Sequence, residues 1–418
     1  MEREGAAAAP HGRILLILLL AYIFNFVDRQ ILSILQIPIK AELGLSDAEV
    51  GLMGGIAFAL LYSTLAIPVA RIADRTDRAK IIAVSVGLWS AFTALCGTTQ
   101  SFWQIFAARM GVGIGEAGGV APSYALISHH FPPERRARAL AIFSLGIPIG
   151  SALGVFFGGW LASSIDWRSA FFAVGGAGLL LAPLVWFGIP DPGRGRLERH
   201  AAAQAPLATV AGMLLRKPSF WLLSFGAAGG SVVGYGLAFW IPAYLSRSLG
   251  LELIGISWFY GSVVLVGGVA GIWLGGWLGD RLARTRPGGY PLVPAVCFLL
   301  AAPLYAVGIF ATSLPLAWIL LTLATALGLV WLGPVVAAVQ HIVPPEMRAT
   351  ASAAFLFINN LIGIGFGIWI MGRLSDLMAA AHGADSLRYS MLTVLSFYLL
   401  SSALYFGASR TVARDWHG

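Results

Sequence analysis

The stretch His130-Phe131-Pro132-Pro133-Glu134-Arg135-Arg136-Ala137 has a partner in the same chain, Ile342-Val343-Pro344-Pro345-Glu346-Met347-Arg348-Ala349. Pro132, Glu134, Arg136 and Ala137 return 212 residues later as Pro344, Glu346, Arg348 and Ala349. A second pair of signals stands at equivalent points, Ala73-Asp74-Arg75 in the first half and Gly279-Asp280-Arg281 in the second. Two matches in one order mark an internal repeat.

Around these signals the chain is apolar. Of 418 residues, 58% are hydrophobic and only 11% are charged, with a mean hydropathy of +0.81. That excludes a soluble globule and a disordered chain. A spanning helix needs about 20 mostly apolar residues. Twelve such runs are legible: 14–36, 50–70, 81–99, 103–127, 138–163, 168–189, 219–246, 253–279, 291–311, 314–340, 349–378 and 389–409. The expectation is an all-α membrane protein with twelve transmembrane helices in two six-helix bundles. The first covers 1–190, a cytoplasmic linker 191–217, and the second 218–418. Cys96 and Cys297 fall inside apolar runs and read as small buried hydrophobes.

Most of the 27 Lys and Arg residues fall on one side of the membrane if both termini are cytoplasmic. Lys40, Arg168, Arg247, Arg373 and Arg388 fall on the other side, and Arg29 and Arg109 lie within spans. This is the positive-inside bias. It accounts for the net charge of +8 through anionic lipid, without nucleic acid.

The first span carries Tyr22, Asn25, Arg29, Ser33 and Gln36 on one helical face, with Asp28 at its edge. In the fourth, Arg109, Gly113, Glu116 and Ser123 share a face. A charge at membrane depth costs roughly 2.5–3.5 kcal/mol on insertion scales unless it meets a partner or water. Arg109 and Glu116 stand two turns apart, roughly 10 Å, so Asp28 and Arg29 are their better partners. Arginine's planar fork suits an anionic head group, and a buried carboxylate beside it can exchange a proton. Glu116 is the first choice of proton carrier and Asp28 the second.

The repeat places Leu321 opposite Arg109 and Gly328 opposite Glu116, and the stretch equivalent to Asp28-Arg29, near 236–239, is apolar. Only mild polarity remains there, in Ser224, Ser231, Tyr235, Ser352, Asn359 and Asn360, among aromatics such as Phe239, Trp240 and Trp331. A cavity charged on one wall and greasy on the other suits an anionic amphiphile. Near the cytoplasmic helix ends, Asp74, Arg75, Arg78, Glu134, Arg136, Asp280, Arg281, Glu346 and Arg348 are candidate gating residues. Their arginines can bridge carboxylates or cover the carbonyl ends of helices.

Ala70-Arg71-Ile72-Ala73-Asp74-Arg75-Thr76-Asp77-Arg78 resembles the loop between the second and third helices of the major facilitator superfamily, with Ala70 and Asp77 where that loop has glycine. Gly275 to Arg284 is its second-half copy. The resemblance implies alternating access to a central cavity. Within that superfamily, Asn25-Phe26-Val27-Asp28-Arg29, Arg109-Met110-Gly111-Val112-Gly113-Ile114-Gly115-Glu116-Ala117 and Ala238-Phe239-Trp240-Ile241-Pro242 are similar to the spinster family of lipid transporters. That likeness implies transport of a lysophospholipid or a sphingosine-phosphate-like lipid, with Asp28, Arg29, Arg109 and Glu116 as head-group and proton residues. Proton coupling and an inner-membrane location are expected with it. The alternative is proton-coupled transport of a small organic anion or sugar acid.

No Gly-x-x-x-x-Gly-Lys loop is present for an ATP-driven pump. Ser128, His129 and His130 have no ordered acid partner in sequence, so an enzyme is not expected. Neither cofactor nor metal is expected. The partners are the solute, protons and membrane lipids, and a monomer suffices.

Overall fold

The computed structural model describes residues 8–73, 75–190, 206–283 and 287–417. Their regular structure is helical, with no strand among the described residues. Apolar runs in lipid force this outcome, because a helix satisfies its own backbone N–H and C=O groups where water is absent. In order, α1 (Ala8–Leu43), α2 (Asp47–Gly51), a π-helical turn Leu52–Ile56, α3 (Ala57–Ala73), α4 (Arg78–Cys96), α5 (Phe102–Glu116), α6 (Val120–His130), α7 (Pro133–Ser144), α8 (Gly146–Ser164) and α9 (Trp167–Gly188) make the first half. The second holds α10 (Leu207–Leu215), α11 (Pro218–Leu249), α12 (Leu253–Ala283), α13 (Gly289–Phe310), α14 (Leu314–Leu329), α15 (Leu332–His341), α16 (Arg348–Asn360), a π-helical turn Leu361–Phe366, α17 (Gly367–His382), α18 (Ser386–Val394) and α19 (Ser396–Asp415).

Among the described residues, ten helical stretches are long and apolar enough to cross a membrane. The last, Pro345–Asp415, contains the runs expected at 349–378 and 389–409. The run 103–127 is missing from the ten because it is broken. Helix α5 ends at Glu116, residues 117–119 form a turn, and α6 starts at Val120. Gly118 and Gly119 weaken the helix. Pro122 lacks the N–H that would bond back four residues to Gly118, and its ring crowds that carbonyl. Glu116 therefore sits at a helix end in the middle of the 103–127 run.

The chain divides into two compact units. Unit 1 is Met1–Leu45, Ala57–Gly195 and Leu251–Gly261, and unit 2 is Ser46–Ile56, Arg196–Gly250 and Ser262–Gly418. In unit 1, α1 packs on α8, α4 on α9, and α5 on α3 and α4. Glycine sets two of these approaches. A Cβ on Gly154 would stand 2.7 Å from the Val27 carbonyl oxygen, and one on Gly113 2.5 Å from that of Phe58. Small residues thus let α8 press on the turn that carries Asp28, and α5 on the turn that carries Phe58. In unit 2, α11 packs on α19, α16 and α17, and α13 on α14 and α19.

Candidate functional site

Unit 1 gathers four charged side chains from two helices. Asp28 and Arg29 come from α1, and Arg109 and Glu116 from α5. Asp28, Arg109 and Glu116 are 1%, 2% and 0% exposed. Arg29 donates from Nε to Glu116 Oε2 at 2.5 Å. A Nη atom of Arg109 lies 3.7 Å from Asp28 Oδ1, an ion pair too long for a hydrogen bond. Two guanidiniums and two carboxylates leave the group formally neutral, which is what makes its burial tolerable.

Three residues beyond those read from sequence shape this group. The Thr93 hydroxyl on α4 donates to Asp28 Oδ2 at 2.7 Å. The two oxygens of Asp28 thus face different partners, Oδ2 the Thr93 hydroxyl and Oδ1 the Arg109 guanidinium. Phe58 and Tyr62, one turn apart on α3, lie under the Arg29 guanidinium at 4.9 and 4.5 Å, with Phe26 of α1 at 5.3 Å. Such stacking contributes about 0.5–2 kcal/mol per desolvated contact. It supports the Arg29 charge alongside the carboxylate of Glu116. Phe58 also lies 5.7 Å from Arg109. The sequence signal for this pair is an aromatic i, i+4 spacing, which reads equally well as packing. Thr93 is a lone hydroxyl in an apolar run.

Several polar atoms here have no hydrogen-bond partner among the described residues: both amide atoms of Asn25, Oε1 of Glu116, Oδ1 of Asp28, and Nε and one Nη of Arg109. Leaving each buried and unmatched costs about 1–3 kcal/mol. The group therefore has spare donors and acceptors of both signs for a polar solute. Tyr22 is 8% exposed and stacks on Phe143, with ring centroids 4.2 Å apart.

Unit 2 carries the milder polar residues. Ser231 Oγ donates to Asn359 Oδ1 at 2.8 Å, and the Asn359 amide reaches Asn360 at 3.3 Å. Ser231 and Asn359 are buried and Tyr235 is half-buried. Asn359 stands just before the π-helical turn Leu361–Phe366, an irregularity frequent at functional positions. Trp240 is fully buried and donates to the Ile368 carbonyl at 2.8 Å, so it joins α11 to α17.

The repeated loop arginines find equivalent partners. Arg136 donates to the Ser128 carbonyl at 2.7 Å, and Arg348 to the Gln340 carbonyl at 3.0 Å. Each reaches the last turn of the preceding helix, α6 or α15, where unpaired carbonyls and the dipole favour a cation. Arg75 lies in the turn after α3, with its N–H bonded to the Ile72 carbonyl at 3.0 Å. Arg78 opens α4, whose N-cap is Asp77. Asp280 is exposed, the Arg281 guanidinium lies 5.4 Å from the Trp277 ring, and Glu346 is exposed in a 3₁₀ turn, Pro345–Met347. Asp74 and the side chain of Glu134 lie outside the described residues, as does the linker over 191–205. His129 and His130 stack edge to face, and no His, Cys, Asp and Glu cluster among the described residues has the makings of a metal site.

The Major Facilitator Superfamily profile matches residues 18–368. An efflux pump of that superfamily type from Mycolicibacterium smegmatis is 37% identical over 403 residues, covering 96% of this chain and 92% of its own. Protein spinster homolog 1 of Homo sapiens is 29% identical, with 97% and 82% covered. A crystal structure of a bacterial homologue of the human lysosomal transporter Spinster, inward-facing and unoccupied, superimposes with a TM-score of 0.86. That pair shares 30% identity and covers 99% of this chain and 100% of the other. The chain belongs to the major facilitator superfamily, and it is an integral membrane transporter of the spinster type.

Proposed function

We propose that this transporter moves an anionic amphiphile, a lysophospholipid or a sphingosine-phosphate-like lipid, coupled to protons. The observation that carries the reading is the pair of buried ion contacts, Arg29 with Glu116 and Arg109 with Asp28. An arriving phosphate or carboxylate takes up the unmatched donors of Arg109 first, because that contact is the looser of the two. Sharing Arg29 with the anion then releases Glu116. A carboxylate left alone in a fully buried position carries a large desolvation cost, and a proton removes it. Anion and proton thus bind together, and moving the occupied site between the two membrane faces carries both. Asn25 and Tyr22 serve the same head group. Ser231, Tyr235 and Asn359 are further substrate-binding residues in this reading.

The basic loops support a bacterial inner-membrane location with both termini cytoplasmic. Arg71, Arg75, Arg135, Arg138, Arg216 and Arg410 are all exposed, as positive-inside anchors should be. Arg136 and Arg348, each bonded to the end of a helix, are gating elements of the cytoplasmic side, together with Arg75 and Arg78. One polypeptide carries the whole path.

Purified protein in vesicles tests the reading. Labelled anionic lysolipids, zwitterionic lysolipids and small organic acids are offered with and without an imposed pH gradient. Gradient-dependent movement of the anionic lysolipid, chemically unchanged, is the expected result. Movement of the organic acids alone would replace the lipid reading with the small-anion one.

A further inference from the structure

Helix α12 carries no charge before Asp280 and Arg281, and its faces meet different surroundings. Gly267, Gly271 and Gly275, spaced by four, press on the end of unit 2 formed by α14. A Cβ on Gly267 would stand 2.8 Å from the Thr322 carbonyl oxygen, and the carbonyls of Ala326 and Val330 leave no room for one on Gly271 or Gly275. Leu274, Leu278 and Leu282 pack on the buried cluster of Val293, Cys297 and Val330. A third face is left open. Trp273 is 69% exposed and Trp277 47%, and Gly276 and Arg281 are exposed with them.

Three side chains on that face form a ladder. The Trp273 and Trp277 rings stack with centroids 6.3 Å apart and planes within 5°. The Arg281 guanidinium lies 5.4 Å from the Trp277 ring, and among the described residues no acceptor takes its N–H groups. A spacing of four keeps all three on one line of the helix. Beside the ladder the surface is bare. Gly276 of α12 and Gly333 of α15 are both exposed. A Cβ on Gly333 would stand 3.9 Å from the Gly276 Cα, and one on Gly276 would meet nothing within 4 Å. The two glycines thus floor a shallow groove between α12 and α15, edged by the indoles. A ring in an aromatic belt sits at head-group level. Trp273 instead lies eight residues from Arg281, about 12 Å along the axis, at acyl-chain depth. The first half does not repeat this face. Matching Asp74-Arg75 to Asp280-Arg281 sets Ile67, Ala70 and Arg71 against Trp273, Gly276 and Trp277.

From this face we infer a binding site for one anionic phospholipid of the surrounding bilayer. The phosphate sits on Arg281, and one acyl chain runs along Trp277 and Trp273 over Gly276 and Gly333. The indole beneath holds the guanidinium by its flat side, which leaves the edge free for a two-pronged phosphate contact. Asp280, exposed beside Arg281, is the opposing charge. Between 280 and 286 the sequence sets three arginines, Arg281, Arg284 and Arg286, against that one aspartate, so the local balance favours an anionic head group over a zwitterionic one. With the sidedness proposed above, the head group belongs to the cytoplasmic leaflet. This lipid is a resident of the surface rather than the transported solute, and by lying across Gly276 and Gly333 it ties α12 to α15.

The test measures no transport, so it stands apart from the identity of the solute. Delipidated protein in detergent is titrated with phosphatidylglycerol or phosphatidylcholine, and native mass spectrometry counts the lipids bound. One phosphatidylglycerol should be held about tenfold more tightly than phosphatidylcholine, and Arg281→Gln should remove that difference, as expected for losing hydrogen bonds between charged groups. Gly276→Leu fills the groove and keeps the cation, and it should weaken binding of both lipids. Trp273→Leu strips a ring that touches no other helix, and it should act in the same direction. Arg138→Gln, at an exposed arginine of unit 1, should change neither lipid. Phosphatidylglycerol with a photoreactive acyl chain should label the peptide that contains Gly333. Equal losses in Arg281→Gln and Arg138→Gln would reduce the binding to general attraction by a basic surface and overturn the site. Unaltered binding in both groove variants, or labelling that spares the Gly333 peptide, would overturn it as well.

Discussion

Replacing Glu116 by Gln, alone and together with Arg29→Gln, isolates the contact on which the proposed chemistry turns. Glu116 is 0% exposed and its oxygen lies 2.5 Å from Arg29 Nε, so the bond is charge-assisted with a buried carboxylate. Hydrogen bonds to charged groups contribute about 1.5–3 kcal/mol in water-soluble proteins. Polar pairs inside membrane bundles average about 0.6 and reach about 1.7 kcal/mol. A coupling energy of about 1–2 kcal/mol is therefore expected from the double-mutant cycle. Glu116→Ala should cost more than Glu116→Gln, towards the roughly 3–5 kcal/mol of a stranded buried charge. The stacking of Arg29 on Tyr62 and Phe58 should offset part of that cost. Reversible unfolding in mixed micelles measures all of these differences. A coupling below about 0.3 kcal/mol, within ordinary additivity error, would refute the view that the two charges hold one another.

Thr93→Val removes the hydroxyl that engages Asp28 while keeping its shape. Asp28 should then close onto Arg109, weaken binding of anionic solute about tenfold for each roughly 1.4 kcal/mol lost, and leave the maximal rate less affected. Thr93→Ser should restore the affinity, and equal defects in both variants would reduce Thr93 to packing. Arg109→Ala should weaken an anionic lysolipid more than a zwitterionic one in a competition binding assay. An equal loss for both would assign Arg109 a structural role.

The repeat and the apolar runs made the helical architecture legible, because membrane burial leaves so few alternatives for the backbone. The three- and four-residue spacing of Asn25, Arg29 and Ser33 showed which face of the first span is polar. The absence of any partner on the same helix sent Arg109 and Glu116 towards Asp28 and Arg29. Other features needed the third dimension. Gly118, Gly119 and Pro122 spell a helix break, yet the high hydropathy of 103–127 reads as one unbroken span. Phe58 and Tyr62 of α3 meet Arg29 of α1 only once the helices pack, with their rings 4.9 and 4.5 Å from its guanidinium. Asp47 lies just before an apolar run and reads as an ordinary loop charge, while its partners Arg247, Ser375 and Asp376 are hundreds of residues away. Arg136 and Arg348 were candidates for carboxylate or carbonyl partners, and hydrogen bonds to carbonyls appear at both repeat positions.

The most direct measurement compares two modes of solute movement in vesicles that hold Glu116→Gln protein. Net flux driven by a pH gradient should be lost, because an amide in place of the carboxylate has no proton to carry. Exchange of labelled for unlabelled anionic lysolipid at equal pH should continue, because Arg29 and Arg109 remain. Gradient-driven flux at the unmodified rate in this variant would contradict the coupling of anion and proton at the buried ion pairs.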